Sequence, residues 1–267
     1  MSNIESTPIV IDTHVHFYQS WGISLDSFLS TAFTNLCQHS SEENTLPVIF
    51  LLENPLQPDT LRTHLLATNH SEASTWQTQV AEHEPWSIWA TCKNKTMLIV
   101  MGYQIITAEG LELLLIGDTA TPHNGEPVRT TLKFYGEQEN VLSILPWAVG
   151  KWLGKRGSVV SELLESQLNQ LFVLADNAGR PRLWSNIAQF NSANKKQIPI
   201  LAGSDPLPIH GQHIKSGCYA NLLTVDIDTQ RPFNPLASAI TAQNFKTVGK
   251  VSTPSKFLLN QIKLRLT

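Results

Sequence analysis

Two histidines separated by one residue close the segment Asp12-Thr13-His14-Val15-His16, directly after a β-branched run at residues 8–11. That junction limits what the chain can fold into. Side chains two apart on a strand leave the same face, so both imidazoles project from one side of the strand end. Leu25, Phe28, Leu29, Phe33 and Leu36 then recur at helical spacing. A short buried strand that ends in polar residues and leads into an amphipathic helix is the repeating unit of a parallel sheet covered by helices.

The unit repeats. Residues 47–52 read as a buried strand and residues 58–67 as its helix, with Pro58 suited to a first helical turn. Residues 86–117 change character: strands at 86–92, 97–107 and 111–116 are joined by turns at Lys93-Asn94-Lys95 and Ala108-Glu109-Gly110. After a polar stretch the alternation resumes, with an apolar run at 141–149, a Gly/Lys-rich turn and a helix at about 158–168. A strand at 171–175 ends at Asp176-Asn177, a helix covers 184–193, and a strand at 198–202 ends at Ser204-Asp205. Leu258, Ile262 and Leu266, four apart, predict a closing helix over 252–266. No glycine-rich phosphate fingerprint follows the first strand, which argues against a doubly wound dinucleotide fold. Polar residues at the ends of several strands suit the mouth of a barrel. The expectation is one domain over residues 1–267: an α/β, distorted TIM-like (β/α)7-8 barrel with an antiparallel strand insertion around residues 86–117.

Composition bounds the partners. At 42% hydrophobic and 15% charged residues the chain is globular, and its net charge of −3 gives no broad attraction to nucleic acid or anionic membrane. A small-molecule substrate is expected, with no nucleic acid and no membrane partner; the oligomeric state is not legible. Residues 1–7 are polar and no apolar run is long enough to cross a bilayer, so a cytoplasmic location is expected. Cys37, Cys92 and Cys218 are odd in number and far apart, which predicts reduced thiols rather than a disulfide framework or a CxxC site.

The chemistry is expected at the strand ends. His14 and His16 can grip one cation, and two nitrogen donors need at least one further ligand to form a catalytic site with an open position. Asp205, in Gly203-Ser204-Asp205-Pro206-Leu207-Pro208, is the candidate third ligand or a general base; a turn cap before proline is the alternative. Asp12, in phase with the histidines, either orients an imidazole or caps the following turn. Lys151 and Arg156, in a Gly-punctuated segment with Trp147 and Trp152, are candidate anion binders; a solvated loop with aromatic packing explains them equally well. Asp176 is a candidate metal-water orienter or a partner of Lys151 or Arg180, and Asn177 and Arg180 are candidate substrate contacts.

Three stretches resemble the polymerase and histidinol phosphatase (PHP) family of metal-dependent phosphoesterases and, more loosely, the amidohydrolase superfamily: Asp12-Thr13-His14-Val15-His16, residues 101–107 with 111–116, and Gly203-Ser204-Asp205. The resemblance implies a barrel holding divalent metal (Zn, Mn or Fe). The chain also departs from that pattern. Gln104 stands where the family has a metal-binding Glu, Glu112 lies near an expected His, and Leu207 replaces a His two residues after the final Asp. No His-x-x-His segment occurs between residues 120 and 170, so one or two ions replace the usual three. Glu112, turned inward, would replace a lost ligand, and Gln104 becomes a candidate substrate contact.

The function that follows is a metal-dependent hydrolase acting on a small anionic substrate, a phosphoester before a lactone or cyclic amide. His14, His16, Asp205 and Glu112 are the expected metal residues, and Asp205, Asp176 and Lys151 the catalytic ones. The rival is a non-catalytic barrel that binds a small molecule or a protein partner.

Overall fold

The protein is described from a computed structural model covering residues 6–57, 60–67 and 75–266. In chain order the elements are β1 (Thr7–Val15), α1 (Leu25–Cys37), β2 (Leu46–Glu53), α2 (Thr60–Ala67), β3 (Gln77–Ala81), β4 (Glu84–Cys92), β5 (Lys95–Ile106), β6 (Glu112–Gly117), α3 (Val128–Gly136) and β7 (Val141–Pro146). There follow α4 (Gly154–Glu165), β8 (Val173–Asn177), α5 (Ala188–Lys195), β9 (Ile200–Gly203), β10 (Tyr219–Val225), α6 (Phe233–Thr241), β11 (Phe245–Gly249) and α7 (Pro254–Leu266).

The strands form one 11-stranded sheet in the order β11-β10-β1-β2-β5-β6-β7-β8-β9, with the β3–β4 hairpin attached to β5. It curls into a nearly closed barrel in which the last strand of that order, β9, comes back against β1 and β10. Apolar residues from every stave fill the interior: Ile9, Ile11, Val48, Phe50, Leu98, Val100, Leu114, Ile116, Ile144, Val173, Ala175 and Leu201 belong to one buried cluster. Phe233, Leu236 and Ile240 of α6 join it, and Phe233 packs beside Gly117 at the end of β6, so α6 closes the floor. Helix α1 covers β1 and β2 from outside, and α3 and α4 cover β6, β7 and β8.

The antiparallel stretch was expected to decorate or partly replace regular barrel units, and it does both. β5 and β6 are staves of the barrel itself, with β6 antiparallel to both neighbours, and only β3 and β4 lie outside the path. β10 also runs antiparallel to β1. α3, β10, α6 and β11 were not expected. Asn221 interrupts the apolar pattern of β10, and β11 is largely exposed, so neither carries a strong period. Helix α7 forms as expected but turns its stripe the other way: Leu258 and Ile262 are exposed while Asn260 is buried. Pro58, expected in the first turn of α2, lies outside the described residues. All three cysteines are free. No helix among the described residues is long and apolar enough to cross a membrane.

The closing seam is made by separate hydrogen bonds, most of them from side chains, rather than by a ladder. The edge of β1 pairs with β10 as far as Ile11↔Asn221. Beyond that point the Asp205 N–H donates to the His14 carbonyl (2.8 Å) and the Thr13 hydroxyl to the Ala202 carbonyl (3.0 Å). Asn221 bridges the two edges, accepting from Ala202 N (2.9 Å) and donating to the Ala202 and Ile11 carbonyls (2.9 and 3.3 Å). A Cβ at Gly203 would lie 2.4 Å from the Cβ of His14, so only glycine lets β9 come this close. Gly203→Ala is therefore expected to overpack the seam by about 1–3 kcal/mol. For a chain of this size that lowers Tm by roughly 2–4 °C per kcal/mol in a thermal melt.

Candidate metal centre at the barrel mouth

The imidazoles reach the interior through an irregularity in β1. Ile9 and Ile11 face inward, and a strict period of two would turn Val15 inward with them. Instead the pairing with β2 shifts between Asp12↔Ile49 and Val15↔Leu51, three steps against two. An extra residue of this kind re-aims everything after it. Val15 joins the outer cluster with Val10, and His14 and His16 point into the mouth.

Four potential ligand atoms meet there. His14 Nε2 and His16 Nε2 are 3.1 Å apart, and Gln104 Oε1 lies 3.0 and 3.1 Å from them. Asp205 Oδ1 completes the group at 3.5 Å from His14 Nε2 and 3.9 Å from His16 Nε2. They come from three parts of the wall: the histidines from the end of β1, Gln104 in phase with inward-facing Leu98 and Val100 on β5, and Asp205 after β9. Asp205 adopts a left-handed backbone (φ +42°), a strained conformation for a residue other than glycine. Asn177 Nδ2 donates to the second oxygen of Asp205, fixing which one faces the imidazoles.

The donor set fits a cation. Both imidazoles turn Nε2 toward this space, and His14 Nδ1 is buried without a hydrogen-bond partner among the described residues. Gln104 Oε1 and Asp205 Oδ1 are acceptors only, and with both Nε2 atoms they surround one buried point, an arrangement that a positive ion suits. Burial pushes both imidazole pKa values down to about 4, opposed at His14 mainly by nearby Glu112. Neutral imidazole is the ligating form. Burial raises the Asp205 pKa, with His16 and Asn177 opposing. His14, His16 and Asp205 thus form a group that can hold a metal ion.

The other expected site residues are placed differently. Glu112 does point inward from the start of β6, but its carboxylate pairs with Lys151 (Nζ–Oε1 3.4 Å) beside the ligand group rather than within it. Burial raises its pKa, and Asp205 adds to the rise. Asp176 takes the second of its two expected roles, pairing with Arg180, and is not placed to orient a metal-bound water. It lies in phase with outward-facing Leu174 on β8, so it turns away from the mouth. There it takes two bonds from Arg180 (2.6 and 2.7 Å) and one from the Tyr219 hydroxyl (2.7 Å). Arg180 is thereby committed to a structural pair, not to substrate. Arg156 is likewise tied back, donating to the Gly150 carbonyl (2.8 Å). Asn177, expected to touch substrate, instead holds Asp205 and accepts from Gly179 N (2.6 Å).

Asp12 does not orient an imidazole. Its carboxylate accepts the N–H groups of His14, Ser204 and Gly217 (3.2, 2.8 and 2.8 Å), and burial raises its pKa to about 7. Sequence reasoning passed over Tyr18, whose ring lies 5.5 Å from that of His16. Its one signal was its place two residues beyond His16. From His16 a polar cleft of about 350 Å³ runs past Tyr18, Gln19, Gln57 and His64.

No protein-family model matches the chain, and no curated protein matches it. Solved structures do. PsfC from Pseudomonas syringae PB-5123 aligns with a TM-score of 0.62 at 12% identity, over 98% of this chain and 100% of that one. The lesion-specific endonuclease PfuEndoQ from Pyrococcus furiosus aligns with a TM-score of 0.54 at 14% identity, over 90% of this chain and 58% of that one. An Endonuclease Q complex with a 27-mer duplex carrying an abasic lesion at the active site gives 0.51 at 12% identity, over 96% and 67%. At these identities the likeness is one of fold. It corrects one expectation: exclusion of nucleic acid from the net charge does not stand, because a protein of this fold is solved on duplex DNA. Net charge sums the whole surface and conceals a local cationic segment such as Lys151, Lys155 and Arg156.

Two predictions follow from this geometry. In metal-free protein the His14 and His16 ring signals should stay those of neutral imidazole from pH 8 to 5 and titrate only near 4 in NMR spectra. Stability is a less direct readout. The lowered histidine pKa values remove stability as pH falls from about 6.5 to 4, whereas the raised pKa of Asp12 adds stability as pH falls from about 7 to 4. Arg180→Met should cost about 3–5 kcal/mol in denaturant unfolding, because it strands the buried Asp176 charge, without loss of bound metal.

Proposed function

We propose that the chain is a metal-dependent phosphoester hydrolase with one divalent ion, Zn, Mn or Fe, held by His14, His16 and Asp205 and flanked by Gln104. The observation that carries this reading is the convergence of two neutral imidazole nitrogens, one carboxylate oxygen and one amide oxygen at a barrel mouth beside an open polar cleft. Imidazole and carboxylate suit these metals. When bound, such an ion polarises a phosphoryl oxygen and lowers the pKa of water from 15.7 to about 7.

The chain's own residues do the rest. Asn177 holds Asp205 in register, and Asp205 offers the carboxylate beside which a water proton is accepted. Lys151, paired with Glu112 at the edge of the ligand group, supplies positive charge for a phosphoryl oxygen. That lysine favours a phosphoester over a lactone or cyclic amide. The outward turn of Asp176 and the engagement of Glu112 with Lys151 favour one ion over two. The resemblance to PHP phosphoesterases supports the same chemistry, and the endonuclease neighbours keep nucleic acid phosphodiesters among the substrates.

Protein purified without chelator should retain near-stoichiometric metal by elemental analysis, and His14→Ala/His16→Ala should lose it. A phosphodiester and phosphomonoester screen should show turnover that chelation abolishes and Zn, Mn or Fe restores. Lys151→Ala should lower kcat/KM about ten- to a hundredfold, as loss of a charged hydrogen bond does. A native chain that holds no metal even after reconstitution would sink the reading and leave a ligand-binding barrel in its place.

A further inference from the structure

A second cleft opens on the same face of the barrel, and its walls are of a different kind. It measures about 330 Å³ and is lined by Trp147, Trp152, Trp184, Leu153 and Ile187, with the amides of Asn186 and Gln189 at its edge. Trp147 follows β7, Trp152 precedes α4, and Trp184 lies in the loop after β8, so the cleft is built from loops at the strand ends that surround the metal residues. Cavities of this size are at the lower end of those that seat small ligands.

Its connection to the candidate metal centre is covalent and short. Trp147 N–H extends the β7–β8 pairing by donating to Ala175 O (2.7 Å), two residues before Asn177, which holds Asp205. Lys151 sits one residue before Trp152, about 3.8 Å away along the backbone. Its side chain turns to Glu112 at the ligand group, while Trp152 walls the cleft. One loop therefore offers a cation to the metal residues and an aromatic surface to the neighbouring space.

The accessible ring of the cleft is that of Trp184. Trp147 meets Trp184 edge to face, with centroids 5.8 Å apart and planes at 77°, so the pair is not stacked face on face. Trp184 remains 42% exposed and Leu153 at the rim 64%, whereas Trp147 and Trp152 are buried at 4% each and form the back wall. Polar groups with spare capacity lie at the edge. Gln189 donates its amide N–H to Gly157 and Ser161, and Asn186 accepts from Asn191, which leaves the Gln189 side-chain oxygen and the Asn186 amide nitrogen without a partner among the described residues. A flat ring with hydrogen-bonding edges, linked to an anion, matches all three features.

We propose that the cleft between Trp147, Trp152 and Trp184 is a stacking subsite for the nucleobase of a nucleotide whose phosphate lies at Lys151. This rests on the phosphoester reading and narrows its substrate class. Aromatic stacking of a base is tolerant of sequence, since every base presents a π-face. The base can come from a free nucleotide or from a single strand of nucleic acid, and both bring the same ring and phosphate.

The test is binding, read without turnover. Indole N–H signals of the native protein are followed by NMR during titration with adenosine, adenosine monophosphate, ribose 5-phosphate and a single-stranded hexanucleotide. Adenosine, which carries no phosphate, should shift the Trp184 signal, and adenosine monophosphate should bind at least tenfold more tightly than ribose 5-phosphate. Trp184→Ala should weaken adenosine monophosphate about tenfold or more and leave ribose 5-phosphate unchanged, whereas Trp184→Phe should restore most of the difference. Tighter binding of the hexanucleotide than of the mononucleotide assigns a polymer; the reverse assigns a free nucleotide. Equal binding of adenosine monophosphate and ribose 5-phosphate, or indole signals that no base moves, overturns the subsite. Either result leaves the metal reading standing if metal is retained; a shift by adenosine in protein that holds no metal separates the two the other way.

Discussion

The mouth of this barrel depends on one buried carboxylate. Asp12 accepts three backbone N–H groups, from His14 in its own strand, Ser204 at the end of β9 and Gly217 before β10. These three segments have no continuous ladder between them, so the carboxylate does what strand pairing does elsewhere in the sheet. Gly203 then allows β9 to press against His14, and the strained turn at Asp205 carries its side chain over the imidazoles. The three donors offset part of the cost of burying the carboxylate, and that makes the seam specific: another arrangement of the strand ends would leave Asp12 unpaired in an apolar wall.

The bulge in β1 and the seam act on the same residues. Ile9 and Ile11 must face the core, and so must His14 and His16, although the two pairs are out of phase by one residue. A regular strand can satisfy only one pair. The insertion between Asp12 and Val15 satisfies both, and it also leaves Asp12 free to reach sideways across the open edge. The site is therefore a consequence of how the barrel closes.

Much of this was legible in the chain itself. Paired histidines at a strand end and a carboxylate after a small-residue strand were enough to bring His14, His16 and Asp205 together, because each argument was local: two-residue parity, and a strand that ends at the mouth. The failures were of the same kind. Asp176 and Asn177 are adjacent on β8, so parity sends one inward and one outward; without the register, position at a strand end could not say which. Asn221 was missed because a polar residue in an apolar strand lowers the strand signal while it is the bridge that holds two edges. The antiparallel staves were visible as strands, but whether they line the barrel or decorate it is set by long-range pairing. Exclusion of nucleic acid failed for a different reason: total charge says nothing of the charge at one part of the surface.

Charge at the site has its own logic on the proposed reading. The two histidines and Gln104 are neutral, Asp205 contributes one negative charge, and Glu112 and Lys151 compensate each other. A single divalent ion then leaves one excess positive charge among buried imidazoles, where an unbalanced charge is costly and a matching anion is bound strongly. One phosphodiester group supplies that balance. A phosphomonoester dianion overfills it unless Lys151 lets go of Glu112, whose burial already favours the protonated form. The replacement of an expected glutamate by Gln104 is the residue that sets this count: a carboxylate in its place would cancel the excess and remove the electrostatic reason to bind a singly charged ester.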